Sequence, residues 1–312
     1  MKKTIALLAG GISMEREVSL SSGQQVFDAL DKDKYEVRRY DPKSDLAKLV
    51  ADARRIDAAL IILHGPYGED GTVQGLLELL DIPYQGAGVL GSALAMNKLA
   101  AKQRYEQAAL PGPAYIAVTR EERVDVHELV ERLKLPLVVK PVCAGSSVGM
   151  SIVRQARQLP PALKSAFAHD ATVIVEAYID GIEITGGVLG NETLEAMPLI
   201  EIIPSEEHDF FDYEAKYTAG ITREICPARI EAALTRKAQE YALAAHKALY
   251  CRGYSRTDMI VRGHDIFLLE TNTIPGMTAT SLFPLAAQVA GLPFGQLLDR
   301  LIELGIQTHK NR

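Results

Sequence analysis

Cysteine is scarce in this chain of 312 residues. Cys143, Cys226 and Cys251 are odd in number, widely spaced and without a Cys-x-x-Cys pair, which excludes a disulfide framework and a thiolate zinc cluster. Reduced thiols are expected. The seven histidines also lack a paired metal spacing. Long apolar runs are missing too, since none approaches the roughly 18 uninterrupted residues of a membrane-spanning helix. The opening Met1-Lys-Lys-Thr-Ile-Ala-Leu-Leu-Ala-Gly10 places basic residues before an apolar run, but that run is short and meets Gly10-Gly11 and then charges. It reads as a buried strand rather than a signal peptide, and the expected location is the cytoplasm. Nor is there a basic stripe: the formal net charge is -6 without long charge runs, which argues against nucleic acid as a partner and favours metabolite chemistry. Neither Gly-x-Gly-x-x-Gly nor Gly-x-x-x-x-Gly-Lys-Ser/Thr occurs, so Rossmann and P-loop readings lose their main support.

What is present suits a globular protein of two or three domains, with 47% hydrophobic and 24% charged residues. Residues 4 to 100 alternate apolar strands (Thr4 to Leu8, Tyr35 to Tyr40, Ala58 to Leu63) with helical patterns after Glu17, Ser44 and Thr72. That is a βαβ layout with a parallel sheet. The loops Gly10 to Glu15 and His64-Gly-Pro-Tyr-Gly-Glu-Asp-Gly71 leave the carboxyl ends of the first and third strands, where ligands of open α/β sheets gather. From Met96 to Tyr178 a helix precedes strands at Ala114 to Val118, Pro136 to Lys140, Met150 to Val153 and Thr172 to Tyr178. This reads as a small α+β unit. Strands near Ile182 to Leu189 and Leu199 to Ile203 follow. Within Glu231 to Tyr250, Leu234, Ala238, Tyr241, Ala245 and Leu249 recur at intervals of three and four, as an amphipathic helix requires.

Arg256-Thr-Asp-Met-Ile-Val and Ile266 to Thr278 read as two strands joined by a tight turn at Arg262-Gly-His-Asp265. Alternation puts Arg256 and Asp258 on one side, and Glu270 and Asn272 on one side. In an antiparallel hairpin the four side chains converge, and two carboxylates with an amide oxygen suit magnesium, which leaves positions for water and phosphates. A solvated hairpin face is the plain alternative. Val138 to Met150 is a strand, a Gly/Ser-rich turn and a strand with Lys140 at the first exit, fit to close over phosphates or to be an ordinary hairpin loop. Glu176 and Glu183 flank a strand junction, as ribose acceptors or as surface glutamates. Ser205 to Arg223, with Asp212-Tyr-Glu-Ala-Lys-Tyr217, is long, polar and aperiodic, a lid or a disordered segment.

Together these stretches resemble the D-alanine–D-alanine ligases of the ATP-grasp superfamily. Gly10 to Gly23, His64 to Gly71, Lys140 to Gly149, Tyr213 to Tyr217 and Glu270 to Leu282 match in order through nearly the whole chain. The resemblance implies an α/β fold, α+β in parts: an N-terminal parallel βαβ domain (1–96, substrate) and two domains (97–178, and 179–312 with metal and catalytic residues) clasping ATP between antiparallel sheets. It implies that Lys98, Lys140 and Lys216 hold phosphates under the Ser146-Ser147 turn. Ala177 and Ile179 offer backbone groups to adenine, Glu183 takes the ribose, and Glu176 belongs to the same cofactor-binding set. Asp258 and Glu270 bind one magnesium or manganese ion, and Glu270 and Asn272 a second.

The implied reaction joins two D-alanine molecules through an acylphosphate, giving ADP and phosphate, for peptidoglycan precursor synthesis. Glu15 anchors the first ammonium and links through Ser146 to Tyr217. His64 lies near the first substrate, Arg256 and the Gly276 N–H are oxyanion donors, and Ser281 with the Leu282 backbone holds the second carboxylate. A homodimer is implied by resemblance alone. Departures from the family pattern are Cys143-Ala144 in place of a more polar pair, Ala177 where Lys is frequent, and Asn97 where Asp is common. The rival readings are a D-alanine–D-lactate ligase, against which Tyr217 speaks, another carboxylate-amine ligase, and a non-catalytic nucleotide-binding module.

Overall fold

A computed structural model describes residues 2–122, 124–145, 148–204 and 222–310. Three sheets organise the chain. The first is parallel, in the order β2-β1-β3, with β1 at Lys3–Ala9, β2 at Tyr35–Tyr40 and β3 at Ala58–Ile62. Its strands are nearly continuous apolar runs because helices cover both faces. Ile5, Leu7, Leu60 and Ile62 pack on one side against helix Arg16–Ala29 and the last helix, Phe294–Lys310. Leu8, Ala59 and Ile61 pack on the other. Each such leucine or isoleucine taken from water contributes about 2 kcal/mol.

The second sheet is antiparallel, in the order β4-β7-β5-β6, with β4 at Tyr115–Thr119, β5 at Leu137–Pro141, β6 at Ser151–Val153 and β7 at Thr172–Ala177. Helices Val126–Leu133 and Leu159–Phe167 cover one face. The third is also antiparallel, with six strands among the described residues. Its path runs β11-β10-β8-β12-β13, and β9 pairs with β8. These strands are β8 Ile182–Gly190, β9 Leu194–Ala196, β10 Ile200–Pro204, β11 Thr222–Ile225, β12 Gly253–Arg262 and β13 Asp265–Asn272. Helix Ala232–Ala248 packs Leu234, Ala238 and Ala245 on its back, as the spacing predicts, and Tyr241 is partly buried there.

The mixed α/β architecture with one parallel and two antiparallel sheets is as expected, but three local readings change. Thr222 and Arg223 belong to β11 rather than to the aperiodic stretch that ends at Arg223, because β10 supplies the ladder that four residues cannot supply for themselves. The short β9 shows no period of its own. The strand after Ile266 stops at Asn272 rather than running on to Thr278.

β12 and β13 form the expected hairpin, with a bulge. From the turn, Arg262 faces Asp265 and Met259 faces Leu268. Continued regularly, that register would set Asp258 against Leu269 and turn Glu270 to the opposite face. The register instead shifts between Asp258 and Met259, so Asp258 faces Glu270 and Arg256 faces Asn272. Leu269 is the extra residue that the bulge absorbs. Leu268 and Thr271 are consequently buried on the helix side, three residues apart, while Glu270 and Asn272 face the opposite way.

Candidate functional site

Two cavities open on the front of the six-stranded sheet. The larger, about 700 Å³, lies between the loops of the parallel sheet and the end of β13, and its walls include Glu15, His64, Arg256, Gly276, Ser281 and Leu282. The other, about 450 Å³, lies between the two antiparallel sheets, and its walls include Lys140, Glu176, Ala177, Ile179, Glu183 and Asp258. Lys98, Ala144 and Glu270 line both. A ligand in one cavity therefore meets a ligand in the other at those three residues. Ser146, Ser147, Lys216 and Tyr217 lie outside the described residues.

In the larger cavity, the loops after β1 and β3 are tied together. The Ser13 hydroxyl donates to the His64 carbonyl at 2.7 Å and accepts from the Glu15 N–H at 3.2 Å. Glu15 is 8% exposed. Its Oε2 lies 2.7 Å from where a Cβ would stand on Gly65 and 3.3 Å from where one would stand on Gly145. The carboxylate is thus cradled by two glycines from different sheets, and Gly65 also needs its φ of +71°. His64 is buried and its Nε2 has no partner among the described residues. Burial holds its imidazole below the ordinary value, with Glu15 opposing and Arg256 adding to the effect. Glu69 lines the same cavity and accepts from the Gly65 N–H at 2.6 Å. Burial and then Glu15 push its carboxyl up to about 8. Gly276 packs against Ser281, whose hydroxyl accepts from the Thr278 N–H at 3.1 Å. Helix Leu282–Val289 begins there, so its first N–H groups offer a place for a carboxylate.

At the junction, Arg256 donates through Nε and Nη2 to both oxygens of Asp258, at 2.9 and 2.8 Å. The Thr185 hydroxyl adds a 2.6 Å bond to Oδ1 and the Asn272 amide nitrogen a 3.2 Å bond to Oδ2. A carboxylate accepts only from the NH₂, so the Asn272 oxygen points elsewhere and keeps its lone pairs. Lys98 donates to the Ala144 carbonyl at 2.6 Å and lies 3.4 Å from Glu270. Its helix is capped by Asn97, whose Oδ1 accepts from the Ala100 N–H at 2.9 Å, as an aspartate there would.

Among the described residues no group of three or more His, Cys, Asp or Glu side chains is arranged for a metal. The oxygen donors stand around that junction, with Glu270 lining both cavities, Asp258 the smaller and Asn272 the larger, and two carboxylates with an amide oxygen are hard ligands suited to a hard cation that keeps open positions.

In the smaller cavity Glu176 is 3% exposed, so it is not the surface glutamate of the plain reading. Its Oε1 lies 2.5 Å from Lys140 Nζ and its Oε2 2.7 Å from Lys102 Nζ. The Lys102 contact falls outside hydrogen-bond geometry and is an ion pair. The Ala177 N–H is given to the Ala114 carbonyl at 2.9 Å. Sequence reasoning missed Lys102, Thr185 and Glu69. The only prior signal for Lys102 is its place one helical turn after Lys98. Thr185 sits inside an ordinary strand pattern, whereas Glu69 lies within the His64 to Gly71 loop that already marks a ligand site.

Known proteins resemble this chain along nearly its whole length. A family model described as D-ala D-ala ligase C-terminus matches residues 105–303, and one described as D-ala D-ala ligase N-terminus matches residues 38–87. A D-alanine--D-alanine ligase from Syntrophobacter fumaroxidans is 63% identical, with 98% of each chain covered. The crystal structure of the D-alanine--D-alanine ligase from Bacillus anthracis complexed with ATP is 36% identical, has a TM-score of 0.87 and covers 99% of each chain. The VanG D-Ala:D-Ser ligase from Enterococcus faecalis is 35% identical, has a TM-score of 0.84, and is matched over 97% of this chain and 99% of its own. This chain belongs to the D-alanine–D-alanine ligase family.

Proposed function

We infer that the protein catalyses ATP-dependent joining of two D-alanine molecules to D-alanyl-D-alanine, through an acylphosphate and with release of ADP and phosphate. The observation that carries this reading is the pair of cavities meeting at Lys98, Ala144 and Glu270. A ligase of this kind must bring a carboxylate to the terminal phosphate of ATP and then present an amine to the activated carbonyl.

ATP would lie between the antiparallel sheets, with Ala177 and Ile179 at the base, Glu183 at the ribose, Glu176 behind Lys140, and Lys98, Lys140 and Lys216 at the phosphates beneath Ser146 and Ser147. In the larger cavity Glu15 would hold the first ammonium beside His64, and link through Ser146 to Tyr217. Ser281 and the Leu282 N–H would hold the second carboxylate. Asp258, Glu270 and Asn272 would hold magnesium or manganese, which neutralises charge on the transferring phosphoryl group. The first carboxylate attacks the γ-phosphorus, the second amine attacks the acylphosphate carbonyl, and phosphate leaves. Arg256 and the Gly276 N–H face the oxyanion that develops, each worth about 3 kcal/mol when aimed at it. On this reading the chain divides into units 1–96, 97–178 and 179–312, and one sheet falling in each supports that division.

Phosphate release from magnesium-ATP with D-alanine, L-alanine, or D-alanine plus D-lactate, coupled to mass identification of the product, tests the reading. D-alanine-dependent release yielding D-alanyl-D-alanine is expected. A mixed depsipeptide, or no turnover with D-alanine, overturns it.

A further inference from the structure

We propose that Lys102 is a positioning residue for nucleotide binding, the standing counter-ion of Glu176 that leaves Lys140 able to exchange between Glu176 and the phosphates of a nucleoside triphosphate. The inference rests on the nucleotide reading of the smaller cavity.

Lys102 is 3% exposed and its ammonium lies 2.7 Å from Glu176 Oε2. The ring of Tyr115 covers it, with the centroid 5.2 Å from Nζ. Lys140 reaches the other oxygen, Oε1, at 2.5 Å and is itself a wall of the cavity. Lys102 lines neither cavity. The two lysines therefore approach one carboxylate from opposite sides, one from the protein interior and one from the ligand space.

Burying a lysine is costly and is met in proteins chiefly where a partner demands it. A purely structural pair would need one ammonium for one carboxylate. Here two ammonium groups meet the Glu176 carboxylate, and Glu106, the other carboxylate acting on Lys102, lies on the side away from Lys140. Of the two lysines, Lys140 alone lines the cavity and can reach an anion there. When Lys140 turns to a phosphate oxygen, a Glu176 without Lys102 would become a buried unpaired charge, the most expensive outcome for such a cluster. With Lys102 in place the carboxylate stays compensated throughout. The direction of the titration agrees: burial raises the Glu176 carboxyl, but Lys140 and Lys102 outweigh it and hold it below the ordinary value. Burial lowers the Lys102 ammonium while Glu176 opposes.

The test is a double-mutant cycle on the full chain, reading magnesium-ATP binding by titration calorimetry and KM for both substrates. K102M is expected to weaken ATP binding at least tenfold with the KM for D-alanine within twofold, and K102R to stay within threefold of wild type. In an E176Q background, K102M is expected to change ATP binding less than threefold, because the charge that Lys102 serves is gone. If K102M alone does not fold, K102R and K102Q carry the comparison, with K102R within threefold of wild type and K102Q at least tenfold weaker for ATP. ATP binding by K102M within twofold of wild type, an equal rise in both KM values, or a tenfold loss in the E176Q background overturns the proposal. Wild-type protein that fails to bind magnesium-ATP overturns the nucleotide reading itself, before Lys102 is in question.

Discussion

Replacing Thr185 with valine would isolate one contact at the junction of the two cavities. Valine keeps the shape and the β-branching that suit β8, and it removes the hydroxyl that donates to Asp258 Oδ1 at 2.6 Å. Thr185 is 1% exposed, so water does not take the place of the lost donor. A hydrogen bond to a charged acceptor contributes about 1.5 to 3 kcal/mol, and the added methyl returns a little of that by packing. A net loss of about 2 kcal/mol is expected. For a chain of this length each kcal/mol moves the melting midpoint by about 2 °C, so a fall of ~4 °C should appear in scanning calorimetry. Function should change as well, since Asp258 would be oriented by Arg256 and Asn272 alone. The magnesium concentration for half-maximal ATP turnover should rise several-fold, whereas T185S, which keeps the hydroxyl, should hold the wild-type metal requirement. A T185V protein with an unchanged midpoint and an unchanged magnesium curve would show that Thr185 does not orient Asp258.

Three further outcomes are expected. D258N should lower turnover at least a hundredfold while the protein still binds ATP; equal turnover would sink the metal assignment. G65A would place a methyl carbon 2.7 Å from Glu15 Oε2 on a backbone with φ of +71°, so the KM for the first D-alanine should rise about tenfold or more, as it should in E15Q; unchanged D-alanine affinity in both would remove Glu15 from the substrate site. The folded chain holds a proton on Glu69 up to about pH 8, while the unfolded chain releases it near the ordinary 4.5. This group's contribution is therefore fully present below about pH 4.5 and is lost as pH rises towards 8. E69Q should gain stability relative to wild type from pH 5 to 8, and parallel stability curves for the two proteins would refute the shift.

Much of the site is written in residue type and order. Alternation along β12 and β13 placed Arg256 with Asp258 and Glu270 with Asn272, because a strand turns its side chains over at every residue whatever surrounds it. The apolar runs of β1 and β3, the helical spacing of Leu234 to Leu249 and the glycine-containing loops after β1 and β3 were legible for the same reason: each follows from local geometry. The motifs matched in order carry the family. Tertiary structure decided what alternation cannot express. Whether the two ligand pairs share a face depends on the bulge that absorbs Leu269, and a one-residue slip there would turn Glu270 towards the helix side. Glu176 reads as a surface glutamate until two lysines from a distant helix and a neighbouring strand close on it. Thr222 becomes part of a strand only because β10 lies beside it. Spacing along the chain sets which way a side chain points, whereas its partners, its burial and its charge state depend on what packs opposite.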